Sequence, residues 1–536
     1  MSTTSELRYS TQSEPVTARR LSWIHELGWK FPTFVLVGFI GVSVLVSTPF
    51  GIKGWEQVVV VLGAPALLVL LIFGARQART GLAELRDNLT WWHGLWFLIL
   101  ISSLVFRIRD AAEAQSLPVD GYALLRLGPE AIVGFYLLVR FLRKGAILQR
   151  SLWQGLTGAL GIYGIVCLLS ASWSVKSTWT LYKSSEFMLD LAVLVAVLVT
   201  VESAEAYRHF FNWTLVLCGL ELVWTWMGAA IWPQEALHST YPERLVGVFP
   251  IQSANAIGAS GAVLSIVAFC RLASFRGCKF GRAWNVLLLC FGLVSILACR
   301  TRASLVGFAF AVVVVMLFSR RAQVAAFAGL GVLLALYTAA LMFNAAPGPG
   351  AVWNEVRHPS GVFVDFLERG QSRDQIESLT GRMEWWHLAW AQFVKHPVTG
   401  LGAYAGGKFG VLSKSGLGET PQLHSDYLET LVGTSIWGIV PLLSALFGTW
   451  WLLIRFVRDR SLRPLERQLA LEAIAVLAVI TVRSLVNVEL IWHAPQFFLA
   501  VLGYAELLRR RAKAARLTFV PIFERDQLPT PAGSRV

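Results

Sequence analysis

The chain reads as an all-α polytopic membrane protein with about fourteen spans. Three observations carry that reading. Apolar residues make up 55% of the 536 and charged residues only 15%, too little charge to cover soluble domains of this size. Apolar runs of roughly 20 residues, the length that crosses a ~30 Å hydrocarbon layer, recur from Phe31 to Leu508. The segments between them alternate between rich and poor in Lys and Arg, and this bias assigns their sides.

The predicted spans are 31–48, 57–75, 89–106, 122–142, 152–173, 185–201, 209–232, 252–270, 284–299, 303–318, 323–343, 431–454, 469–486 and 490–508. With the N-terminus inside, cytoplasmic segments collect Arg76, Arg79 and Arg86, then Arg143, Lys144 and Arg150, and later Arg455, Arg458, Arg460, Arg463 and Arg467. Short outer turns hold fewer cations: Lys53, Arg107, Arg109, Lys176, Lys183, Arg244, Arg300 and Arg302. An odd number of errors among the spans would reverse the bias partway along, and no reversal occurs.

This divides the chain into a cytoplasmic N-terminal segment (1–30), transmembrane helices (31–343), one large outer loop between the eleventh and twelfth spans (344–430), further transmembrane helices (431–508) and a cytoplasmic tail (509–536). The net charge of +14 falls mostly on the cytoplasmic side, where it meets anionic headgroups, so it calls for no nucleic-acid partner. The first apolar run is long enough to span and follows a polar stretch of mixed charge, so no cleavable leader is expected. Cys167, Cys218, Cys270, Cys278, Cys290 and Cys299 lie in or beside spans, without a CxxC, and neither disulfides nor a zinc site is expected. No internal repeat of the secondary-transporter kind is evident.

The outer loop carries the sequence with most to say. Ala345–Gly350 is a breaker cluster, and Asn354–Ser378 is polar. Thr380 or Gly381 can then cap a helix that has Arg382 in its first turn and ends before Pro397. Trp386, Trp390 and Phe393 share one face of that helix, the pattern of a segment lying in the membrane interface. Gly400–Gly402 and Gly406-Gly407 predict a flexible return, and Leu423–Glu429 leads into the next span.

Arginines gathered on the outer side beside a loop with a histidine suit an anionic, lipid-linked substrate. The motifs are Thr380-Gly-Arg382 with Trp386, His396-Pro-Val-Thr-Gly-Leu-Gly402, and His424-Ser-Asp-Tyr-Leu-Glu429 with Trp437-Gly438. Upstream stand Arg244-Leu-Val-Gly-Val-Phe249 with Asn255, and Thr301-Arg-Ala-Ser-Leu-Val-Gly307. In this order and on this side, over roughly Trp153–Glu506, they resemble the O-antigen ligase and O-antigen/exopolysaccharide polymerase superfamily of bacterial envelope glycosyltransferases. That family commonly has His-Asn where this chain has His424-Ser425.

The resemblance implies a GT-C-like fold in the bacterial inner membrane, both termini cytoplasmic and the loop periplasmic. It implies inverting, metal-independent transfer of a glycan from undecaprenyl diphosphate, with no cofactor. The acceptor is a sugar hydroxyl on a lipid-linked glycan or on lipid A–core, and a chain-length regulator is a possible partner. The residues can be read for the same chemistry. Departure of a lipid diphosphate needs fixed cations where its charge develops, and the planar, permanently charged fork of arginine binds phosphate oxygens in pairs. Arg244, Arg302 and Arg382 are the candidates, with Arg300 second because an arginine at an outer turn also snorkels to lipid phosphate. No Asp-x-Asp stands on the outer side to hold a divalent ion.

His424 has the side chain suited to assist the acceptor hydroxyl, and Asp426 and Glu429 can orient it. Trp386 offers a flat face for a sugar ring or a headgroup, and Lys183 adds positive potential at the outer mouth. Arg483 is an ionisable residue near the outer end of its span and a further phosphate-binding candidate; Arg126 and Glu130, one turn apart, read as an internal pair. The Leu379-Thr-Gly-Arg382 stretch followed by Trp386 resembles exopolysaccharide polymerases, which favours polymerase over ligase. A flippase for lipid-linked sugars is the rival from another class, but it needs charge along a cavity open to both faces.

Overall fold

A backbone in hydrocarbon has no water to bond, so each apolar run must satisfy its own amides and carbonyls, and here it does so as helix. The computed structural model describes residues 91–104, 116, 121–201, 203–238, 244–248, 251–274, 279–327, 329, 382–413, 422–459, 461–492 and 495–518. The spans expected at 31–48 and 57–75, most of 323–343, and the loop between 344 and 381 lie outside these residues.

In chain order the helices are α1 (Trp91–Leu104), α2 (Gly121–Leu152), α3 (Gly155–Leu169), α4 (Ser177–Thr200), α5 (Ala204–Ile231), α6 (Ala254–Ser274), α7 (Lys279–Cys299), α8 (Arg302–Phe318), α9 (Arg382–Lys395), α10 (Asp426–Arg458), α11 (Pro464–Val486) and α12 (Pro495–Thr518). Between α5 and α6 run two short antiparallel ladders: β1 (Leu237–His238) with β2 (Arg244–Leu245), and β3 (Gly247–Val248) with β4 (Ile251–Gln252). Their register sets His238 opposite Arg244 and Gly247 opposite Gln252.

Among the described residues, five helices are long and apolar enough to cross a membrane: α3 with the short turn that follows it, α5, α6, α10 and α11. Apolar stretches in α7 and α8 are shorter, Trp284–Cys299 and Arg302–Phe318. The described chain is thus an all-α, multi-pass membrane fold. Its apolar windows differ in burial, 83% in α6 and 78% in α11 against 44% in α5 and α10, so α6 and α11 are central and the others present a face to lipid. Small residues let α6 and α7 approach closely: a side chain on Gly261 would meet the Gly292 carbonyl, and one on Gly292 would meet Ser265.

Local signals set the helix ends. The Ser203 hydroxyl accepts the Ala206 amide at 3.1 Å at the start of α5, and α11 and α12 each begin with a proline, whose missing amide costs nothing there. The span expected at 431–454 begins at Asp426 instead. Asp426 and Glu429 are polar, so hydropathy passes over that first turn, yet both are buried by neighbouring protein.

The return expected to be flexible at Gly400–Gly407 is corrected by the structure: it is pinned. At Ser435 α10 breaks, with φ +57° and ψ −150°, and two carbonyls freed by the break accept amides from this loop: Leu401 to Val432 and Gly402 to Gly433, both at 2.8 Å. The Ser435 hydroxyl donates to the Pro397 carbonyl. On the loop's other side the Val175 amide donates to Leu401 at 3.0 Å, the Ala403 amide to the Ser170 hydroxyl at 2.9 Å, and the Thr180 hydroxyl to Ala403 at 2.8 Å. Gly402 has φ +98° and Ser174 fills the place of a side chain, so glycine is required there. The loop then winds into a buried π-helical turn, Gly406–Leu412.

Candidate functional site

Four helix ends bring the arginines together. Arg483, in the last turn of α11, is 1% exposed, and its guanidinium is fully engaged. Nη1 donates to the Ser304 hydroxyl of α8, Nη2 to the Asn255 carbonyl at the start of α6 at 2.8 Å, and Nε to Glu489 at 3.0 Å, an ion pair. The structure therefore places Arg483 beneath the site as a brace joining α6, α8, α11 and the turn after α11.

Arg382 opens α9 and donates to the Val486 carbonyl. Among the described residues it makes no ion pair. Burial and then the nearby Arg483 charge bring its pKa down to about 10. It remains a cation at neutral pH, held against another cation. Arg302 begins α8, two residues before the serine that Arg483 holds, and Arg300 occupies the preceding turn at φ +49°. Arg244 is exposed on β2, and its charge and that of Arg483 both reach Cys299 at the end of α7. Arg244, Arg300, Arg302, Arg382 and Arg483 thus share one end of the bundle.

Lys183 does not join them. It is buried in α4 with Nζ 2.7 Å from Glu186, lining a separate cavity rather than the outer mouth.

His424 is set by its neighbours. The Leu423 amide donates to Glu429 at 2.6 Å, and the Leu423 carbonyl accepts from the Trp386 indole at 2.9 Å. With the preceding residue fixed from both sides, His424 is held in the left-handed region at φ +54° and its ring stacks on Trp385, centroids 6.0 Å apart. Among the described residues, three of the four non-glycine residues with positive φ, Tyr404, His424 and Ser435, lie on this loop-and-helix assembly; such conformations cost energy and persist where surroundings over-determine them. Burial, then the charge of Arg382, lowers the His424 pKa to about 3, so the imidazole is neutral. Its Nδ1 has no hydrogen-bond partner among the described residues.

Asp426 and Trp386 support this arrangement. Asp426 is fully buried, and one carboxylate oxygen accepts the amides of Glu489 at 2.7 Å and Leu490 at 2.9 Å, so it clasps the turn after α11. Tyr427 and Ser484 share a hydrogen bond at 2.8 Å across the same joint. Trp386 spends its N–H on Leu423, while Trp390, two rings along the expected face, is exposed. Sequence reasoning missed Glu489. Its signal was a carboxylate in the short turn after α11, beside a set of arginines.

The site is a cationic, partly desolvated end of a helical membrane bundle, with a neutral histidine beside a half-buried arginine. Residues 286–443, from α7 through the first half of α10, match the family model described as O-antigen ligase. This match supports membership of the O-antigen ligase/polymerase superfamily, a group of glycosyl-transfer enzymes. The matched stretch contains Arg300, Arg302, Arg382 and His424; Arg244, Arg483 and Glu489 lie outside it. Comparison with curated proteins finds no match.

Proposed function

We propose that the protein is an inverting, metal-independent glycosyltransferase of the bacterial inner membrane that uses undecaprenyl-diphosphate-linked glycan, and that it acts as a polymerase. The observation that carries this reading is the pairing of Arg382, a cation that binds no carboxylate among the described residues, with neutral His424. The diphosphate binds at Arg382, Arg302 and Arg244 on the periplasmic side. The acceptor hydroxyl oxygen attacks the anomeric carbon, the bond to the diphosphate oxygen breaks, and the diphosphate leaves with the electron pair. His424 takes the hydroxyl proton at Nδ1.

The two groups act together. Unliganded, His424 is a weak base because it is buried and because Arg382 opposes a second positive charge. A diphosphate on Arg382 offsets that charge and raises the basicity of the imidazole when a donor is present. Stacking on Trp385 keeps the ring in place meanwhile.

The test is purified protein in lipid with a synthetic undecaprenyl-diphosphate repeat unit, with chelator, and products resolved by gel. A ladder of longer lipid-linked glycans is expected. No ladder, but transfer once lipid A–core is added, would make the protein a ligase; silence in both would remove the transferase reading. Topology is checked separately by a reporter fused at Gly370, expected outside the cytoplasm.

A further inference from the structure

A second polar region lies between α2, α4 and α12, apart from the arginines. Arg126, Lys183, Glu186, Phe187, Asp190, Tyr404, Ile491, Trp492 and Pro495 enclose a cavity there. Arg126 does not stop at Glu130, its neighbour one turn on at 3.6 Å; it crosses to α4 and pairs with Glu186, which also holds Lys183. Among the described residues, Asp190 has only the Gln496 amide, at 3.3 Å. Ser102 on α1 donates to Glu130 at 3.3 Å. Among the described residues, three carboxylates thus face two cations in a desolvated interior, where an uncompensated charge is costly.

Two further facts locate the missing positive charge. The carboxylates of Glu130 and Glu186 both reach the Arg126 guanidinium, and two carboxylates gathered on one cation repel unless a proton joins them. Tyr404, only 4% exposed, lines the cavity, and its hydroxyl has no hydrogen-bond partner among the described residues, so polar capacity is left for a water.

We infer that this region is a binding site for one exchangeable monovalent positive charge, a proton carried by Glu130 and donated to Glu186. With it bound, Glu186 and Asp190 balance Arg126 and Lys183. The water held by Tyr404 gives the proton its way in and out. Tyr404 also packs edge-on against Trp492, at 5.4 Å, in the turn that bears Glu489, so occupancy bears on the wall shared with the arginine site.

The experiment is infrared spectroscopy of the protein in lipid, reading the carboxylic-acid C=O band at neutral pH. Wild type is expected to show a band that Glu130→Gln removes, the amide keeping the hydrogen bond to Glu186. Ser102→Ala, which deletes a donor to Glu130 without touching a charge, is expected to shift that band and not abolish it. Titrating sodium against choline at constant pH distinguishes the sources of charge: an unchanged band makes the ligand a proton, and a band lost to sodium makes it a metal cation at the same site. A wild-type spectrum without any band sensitive to Ser102→Ala or Glu130→Gln, in either salt, overturns the inference.

Discussion

The arginine end and the cavity behind it compensate charge in opposite ways. At the arginine end, Arg382 has a carbonyl and another cation for company, and the carboxylate of Glu489 is already bound to Arg483. Around the cavity, among the described residues, the three carboxylates Glu130, Glu186 and Asp190 meet the two cations Arg126 and Lys183, and Arg126 pairs with Glu186 across helices. Surplus positive charge calls for an anion; surplus negative charge in a desolvated interior calls for a small cation or a proton. Both regions contain basic residues, so counting cations does not tell a substrate site from a structural one. The partners do.

The comparison breaks most visibly at Arg126. Removing one partner of a buried ion pair leaves an unpaired charge and typically costs about 3–5 kcal/mol. Arg126→Met is expected to lower the folded yield and thermal stability in detergent by that order. A variant as stable as wild type would mean the cavity is solvated.

At the other end the cost should fall on turnover. Arg382→Ala is expected to reduce glycan transfer by about 10²–10³-fold, the usual loss when one fixed stabiliser of developing charge is removed. Arg382→Lys should recover only part, since an ammonium lacks the paired donors of the fork. The measurement is product per folded enzyme in lipid; an unaffected rate would detach Arg382 from the chemistry.

His424 sharpens the contrast through pH. Its side chain is neutral in the folded protein down to about pH 3 but ionises near 6.5 when unfolded, so folding excludes a proton between those values. Its contribution to stability is present above the unfolded pKa and is lost as pH falls toward the folded one. His424→Gln is therefore expected to flatten the loss of thermal stability between about pH 6.5 and 3, and to reduce transfer by about 10²-fold, the lower range for loss of a positioned proton acceptor. A variant with the same acid sensitivity as wild type would show the imidazole to be solvated.

The helical, membrane-spanning character of the fold was legible because hydropathy reports the length of an apolar run. The helix from Arg382 was legible because a breaker precedes it and Pro397 follows. Other features were not. Ser435 looks like any polar residue in an apolar run, and only the amides of Leu401 and Gly402, brought in from far along the chain, make a break there tolerable. The pinned glycine loop looked flexible for the same reason: glycine content reports conformational freedom, not whether backbone partners will be supplied. Lys183 and Glu186, three apart on one helix, carried a readable sign of internal pairing, whereas Arg126 with Glu186 joins two helices that periodicity cannot bring together.

The smallest effect probes how the histidine is held. Trp386→Phe keeps an aromatic ring on α9 and removes only the N–H that binds the Leu423 carbonyl. A net hydrogen bond is worth about 1 kcal/mol, roughly a fivefold change at room temperature. If Trp386 binds a sugar ring, the phenyl face should preserve most of that contact and the change should fall on KM for the acceptor. If it positions His424, KM should stay and kcat should drop by roughly fivefold, because Leu423 keeps its amide tie to Glu429 but loses the carbonyl one, and the strained φ of His424 relaxes. Glu429→Gln provides the matching test from the opposite side of the same peptide: the amide oxygen can still accept from Leu423, so its loss should be no larger than that of Trp386→Phe, whereas Glu429→Ala should exceed both.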